Sequence, residues 1–169
     1  MSVIERPGRR TGGKAGGGGT RLTHPHGCEF VVDGEPISRQ NPDRAGSKRR
    51  WQERVNAAAR AVLGGDAVPY GGELSVLVVY FYAGRTDRDL DNIAKPILDG
   101  MNHVIYHDDG QISHLVLRKT EQAMMSGVPD LPAEVVTRLG RRGRESFVYV
   151  RIEDGPDHRG WPVQMSDIR

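Results

Sequence analysis

Three aspartates at alternating positions, Asp87, Asp89 and Asp91, stand in the stretch Arg85-Thr-Asp-Arg-Asp-Leu-Asp-Asn-Ile-Ala-Lys95. In extended backbone, side chains two apart project to one face, so Asp89 and Asp91 would point the same way with Leu90 opposite. Carboxylates held that close repel each other unless a cation or a proton intervenes. Hard oxygen ligands at this density suit Mg2+ or Mn2+. Asp108-Asp109 follows a helical stretch and precedes another extended one, so a helical crossover would return one of that pair to the side of Asp89 and Asp91. Three convergent aspartates would make a metal site for cutting phosphodiesters. Asp-x-Asp-x-Asp also resembles a calcium loop, but Asn92 stands where its glycine belongs and Leu98 where its glutamate belongs, which argues against one. Asp91, Lys95 and Asp99 also fall four apart on one helical face and would serve as plain surface ion pairs, each contributing about 0.3 to 0.5 kcal/mol. Spacing alone leaves the metal site and the ion pairs both open.

The elements that must position these residues are legible from apolar patterning. Glu73 to Tyr82 is rich in Leu, Val and Tyr with no helical polar face, and predicts a mostly buried central strand. Asn92 to Asn102 returns to helical spacing through Ile93, Ile97, Leu98 and Met101. Its Pro96 is tolerable only if the helix begins near Asp91 or Asn92, which puts the proline at the edge of the first turn. Asp108-Asp-Gly110 supplies turn chemistry, and Gln111 to Thr120 alternates as a strand. Cys28 to Gly34 predicts a first strand and Ser146 to Glu153 a last one. Ser47 is a candidate cap for a helix whose apolar stripe is Trp51, Val55, Ala58 and Val62, ended by Gly64-Gly65. Pro132 to Leu139 predicts a short helix with the proline in its first turn, inside a basic excursion, residues 121–144, that shows no strand pattern.

The chain has 169 residues, about one domain's worth, with 37% hydrophobic and 27% charged residues, which excludes a wholly disordered chain. Residues 1–27 read as a flexible Gly/Arg-rich basic tail, 28–153 as the folded domain and 154–169 as an irregular C-terminal tail. Net charge is only +2, but arginines cluster near the start and again over Arg138 to Arg144, a pattern that fits a polyanionic partner or a solvated surface. Cys28 is the single cysteine, so no internal disulfide and no cysteine-type zinc site can form, and a reducing compartment is expected. With no signal-peptide pattern and no long apolar run, neither export nor membrane insertion is expected.

The string Asp89-Leu-Asp-Asn-Ile-Ala-Lys95, then Leu98-Asp99, then Asp108-Asp109-x-Gln111, resembles the signature of RusA-type Holliday junction resolvases. The resemblance is firm from Glu73 to Lys119 and looser from Cys28 to Leu63, where Ser38 and Asn41 resemble the family's early Ser/Asn loop. It does not cover the N-terminal tail, residues 121–143 or the last residues. It implies an α/β (α+β) single domain with a small mixed sheet and packed helices, working as a homodimer whose two sites cut opposing strands of a four-way junction. It implies that Asp89, Asp91 and Asp109 ligate Mg2+, with Mn2+ a possible substitute, that Asp108 rivals Asp109, and that Lys95 is the catalytic cation. Asn92 would shape the helix start, and Asp99 would pair with Lys95 or the helix surface.

The activity so implied is a structure-specific endodeoxyribonuclease that resolves Holliday junctions by paired nicks in recombination and repair. Asn41, Lys48, Arg49, Arg50, Arg141, Arg142 and Arg144 are candidates to follow the phosphate backbone, against the simpler role of solvated residues. His103, His107 and His114 lie near the acidic stretch but read as structural. Trp51 falls on an apolar stripe, whereas Trp161 could stack on a base. Three alternatives stand beside resolution: cleavage of other branched DNA, a non-catalytic junction-binding module with a structural metal, and an interaction protein using the Gly/Arg tail. A cytoplasmic or nucleoid-associated setting is expected, with phage or prophage origin open.

Overall fold

The structure, a computed structural model, describes residues 27–37, 44–64, 67–141 and 145–155. Nearly all of the two expected tails, together with Ser38, Asn41, Arg142, Arg144 and Trp161, lies outside the described residues. In chain order come β1 (Cys28–Asp33), α1 (Arg44–Leu63), β2 (Leu74–Tyr82), α2 (Leu90–Met101), a 3-10 turn (Asp109–Gln111), β3 (Ile112–Glu121), a second 3-10 turn (Gln122–Met125), α3 (Ala133–Leu139) and β4 (Phe147–Asp154). The four strands form one mixed sheet in the order β1-β4-β2-β3, with β2 and β3 parallel and β4 antiparallel to both β1 and β2. The expected mixed α/β fold is therefore present. Among the described residues no helix is long and apolar enough to cross a membrane.

The run of apolar residues in β2 reflects burial on both faces of the sheet. Val76, Val78 and Tyr80 face one way with Phe30, Val32, Val148, Val150 and Ile152, and against them pack Trp51, Val55 and Ala59 of α1 and Ile93, Ile97 and Met101 of α2. Val79 and Phe81 face the other way with Phe147 and Tyr149, where Val135 of α3 covers them. The rings of Phe81 and Phe147 stack with centroids 4.8 Å apart. The part of 121–144 that is described thus supplies a packed layer, through Val135, Met125, Leu131 and Leu139.

Local expectations shift at three points. Helix α1 starts at Arg44, so Ser47 does not cap it; it lies buried inside the helix, accepting a hydrogen bond from Arg50 at 3.1 Å. The buried stripe of α1 continues from Val55 to Ala59, while Val62 is 39% exposed, because strict four-residue steps keep these side chains under the neighbouring helix. Helix α2 starts at Leu90, which places the buried Pro96 beyond the first turn and leaves the Asn92 carbonyl without its usual helical donor. Burying Ile93, Pro96, Ile97 and Met101 together offsets that lost bond.

Helices α1 and α2 approach closely at Gly100, where an added Cβ would lie 2.8 Å from Val55 Cβ and 3.0 Å from the Gln52 carbonyl oxygen. Gly100→Ala should therefore destabilise the fold by about 1 to 3 kcal/mol through overpacking, against less than about 1 kcal/mol regained in helix propensity. Thermal unfolding followed by circular dichroism should give a lower Tm. An unchanged or higher Tm would mean that the helices separate at little cost.

Candidate active site

The first turn of α2 carries two carboxylates. Asp89 is its N-cap, extended at φ −81 and ψ 142, and its side chain makes no capping hydrogen bond. Asp91 lies in the first helical turn, where the unpaired backbone N–H groups favour a negative charge. Asp89 and Asp91 do not share a face by strand alternation as expected, because the backbone turns helical at Leu90. Both carboxylates are exposed and form no ion pair among the described residues.

One turn past Asp91, Lys95 is 63% exposed and joins two acids. Its Nζ lies 2.8 Å from Asp109 Oδ2 and 2.9 Å from Asp99 Oδ1. The parallel crossover creates this meeting, since β3 must start beside the beginning of β2 and the turn before it reaches the flank of α2. Hydrogen bonds from Lys95 to Asp109 and then to Asp99 hold the ammonium well above the usual lysine range, so it stays charged at any physiological pH. Asp99 is partly buried, which by itself would raise its pKa. Donation from Lys95 and Lys48 outweighs burial and holds it below the ordinary value. Lys48 Nζ at 3.0 Å and Gln52 Nε2 at 3.1 Å both meet Asp99 Oδ2, so this carboxylate ties α1 to the site.

The two aspartates before β3 have different work. Asp108 Oδ1 accepts from the Gly110 N–H at 2.8 Å within a capping box that includes Gln111, so it shapes the turn. Asp109 reaches Lys95. Beneath them Tyr106 is fully buried, donates its hydroxyl to the Leu98 carbonyl at 2.8 Å, and is pushed well above the usual tyrosine range by burial and then by the Asp109 charge.

As placed, no group of three or more His, Cys, Asp or Glu side chains among the described residues could hold a metal ion. The donor chemistry nevertheless suits a hard cation: Asp89, Asp91 and Asp109 offer only carboxylate oxygens, and the partner of Asp109 is itself a cation, Lys95. The imidazoles of His103, His107 and His114 form no hydrogen bond or ion pair among the described residues.

The family model described as Endodeoxyribonuclease RusA matches residues 35–128, more than half of the chain's 169 residues. The chain belongs to the RusA family. The RusA family is one of endodeoxyribonucleases that act on branched DNA junctions. The match takes in α1, β2, α2 and β3, and with them Lys48, Asp89, Asp91, Lys95, Asp99 and Asp109; it stops short of α3. A comparison with curated proteins found no match.

In this RusA-family site the candidate DNA contacts are scattered. Arg49 pairs with Glu53 at 2.8 Å, and Arg141 meets Asp33 at 3.5 Å beside α3, in the layer opposite α2. Such exposed pairs are weak and exchange readily for phosphates. Lys48 turns inward to Asp99, a role unseen in its sequence context. Two further cations near the site carry no motif in the sequence. Arg88 pairs with Glu35 at 2.9 Å, and Lys119 Nζ donates to the Arg88 carbonyl at 3.0 Å, next to Asp89. Lys119 is brought there by the parallel register of β3, which sets it opposite Tyr80 near the end of β2.

Proposed function

We propose that this chain is a Mg2+-dependent, structure-specific endonuclease that resolves Holliday junctions by paired nicks, working in recombination and repair. The observation that carries the proposal is the meeting of Lys95 and Asp109 across the crossover, on the helix whose first turn carries Asp89 and Asp91, in a chain of the RusA family. Asp89, Asp91 and Asp109 would hold the metal, which when bound polarises the phosphodiester and makes hydroxide accessible near neutral pH. Lys95 brings a fixed positive charge to the scissile phosphate, where negative charge grows as the bond breaks. Asp99 still holds the ammonium when Asp109 turns to other work, so Lys95 keeps its place. Asp108 holds the turn and is left out of the ligand set.

A homodimer with two such sites supplies the symmetry that paired cuts on opposing strands require. Arg49, Arg50 and Arg141, with Asn41, Arg142 and Arg144, follow the backbone of the junction arms, so affinity falls with salt, while Lys48 stays with Asp99. The setting that fits is the cytoplasm or the nucleoid, in a phage, prophage or chromosomal context.

The test is cleavage of a labelled four-way junction against duplex, flap and single strand of matched sequence, with Mg2+ or with EDTA. Paired nicks on the junction alone, with 5′-phosphate and 3′-hydroxyl ends and lost in EDTA, are expected. Faster cutting of flaps would instead indicate a nuclease for other branched DNA. Junction binding with no cut under Mg2+ or Mn2+ would make the chain a binding module.

A further inference from the structure

Gln111 makes four hydrogen bonds with a single side-chain amide. Its Oε1 accepts from the His107 N–H at 2.8 Å and the Asp108 N–H at 3.1 Å. Its Nε2 donates to the Tyr70 carbonyl at 2.7 Å and the Gly72 carbonyl at 3.0 Å. Two donors at one end and two acceptors at the other fit only one orientation of the amide. The segment on the far side is itself anchored: the Tyr70 N–H donates to the Ile105 carbonyl at 2.7 Å, and the Tyr70 hydroxyl bonds Asp154 at the end of β4. Gln111 therefore clips the 107–110 turn onto the chain leading into β2. Asp109 sits in the middle of that turn, and its carboxylate is joined to the rest of the site only through Lys95 among the described residues.

We propose that Gln111 is a positioning residue for Asp109: it sets where the Asp109 carboxylate stands against Lys95, by fixing the backbone on either side of it. The inference rests on the reading of Asp109 as part of the active site. No other residue type reproduces the clip. Glutamate keeps the acceptors but sets a carboxylate oxygen against two carbonyls, asparagine is a methylene short, and methionine fills the space with no polar group. An ångström of misplacement at a reacting group costs up to roughly a hundredfold in rate, which sets the scale of the effect.

The experiment compares wild type, Gln111→Glu, Gln111→Met, Asp109→Asn and the double variant Asp109→Asn with Gln111→Met. Single-turnover cutting of the junction, junction affinity in EDTA, and amide hydrogen exchange at His107 and Asp108 are the readouts. Both Gln111 variants are expected to cut roughly ten- to a hundredfold more slowly, Gln111→Met at unchanged junction affinity and Gln111→Glu with at most a few-fold loss of affinity from its added negative charge. In Gln111→Met the His107 and Asp108 amides should exchange roughly fivefold faster or more, having lost their acceptor. The double variant should be no slower than Asp109→Asn, because residues that act as one unit do not add. Losses that multiply in the double variant, wild-type rates in both Gln111 variants, or full protection of both amides without Gln111 would overturn the proposal. A wild type that cuts no junction overturns the nuclease reading instead, while the amide exchange still decides whether the clip exists.

Discussion

Asp91→Asn and Asp109→Asn should each lower junction cutting by roughly a hundred- to a thousandfold or more, the scale of losing one stabiliser of charge on the reacting phosphate, here the metal that the carboxylates would hold. Asparagine keeps the shape of aspartate but brings a neutral amide, a poor ligand for a hard divalent cation. The two variants act from different elements, one on the first turn of α2 and the other in the turn before β3, so equal losses would place both at one reaction centre. Neither carboxylate lies in the core, so folding should survive. Junction affinity in EDTA should hold or rise, since each change removes a negative charge from a surface that meets phosphates. Asp108→Asn is the control. Its oxygen would still accept from the Gly110 N–H, so the turn persists and cutting stays close to wild type. Single-turnover rates and gel-shift titrations decide the matter, and loss on Asp108→Asn with retention on Asp109→Asn would reverse the assignment.

Lys95→Ala should lower turnover by roughly a hundredfold while junction binding changes only a few-fold, because a charge aimed at the phosphate acts more strongly as negative charge develops than in the bound ground state. Stability should barely move. Lys95 is 63% exposed, and Asp99 keeps Lys48 at 3.0 Å and Gln52 at 3.1 Å after the substitution. Asp109 loses its partner and stands in a partly open place, where water replaces the ammonium. Equal losses in cutting and in binding would make Lys95 a general phosphate contact, and an unchanged rate would remove it from the site. A melting curve on the same protein separates both results from unfolding.

The sequence by itself carried the chemistry and most of the elements. The Asp89 to Lys95 string, the four strands and the helix after Pro132 were legible, since local patterning of apolar and turn residues is what builds them, whereas the mixed sheet was implied only by the family resemblance. Where a local rule competed with packing, packing won. The helix starts at Leu90 in spite of Pro96, because Ile93, Ile97 and Met101 are buried against the sheet as a set, and that start removed the strand-like alternation of Asp89 and Asp91. Tertiary structure alone decided that Asp109 meets Lys95, that Lys48 faces Asp99, that Gln111 clips the site to the chain before β2, and that α3 closes the second face. Those contacts join residues far apart in the chain. They are set by the path of the crossover and the register of β3 on β2, which no short stretch of sequence specifies.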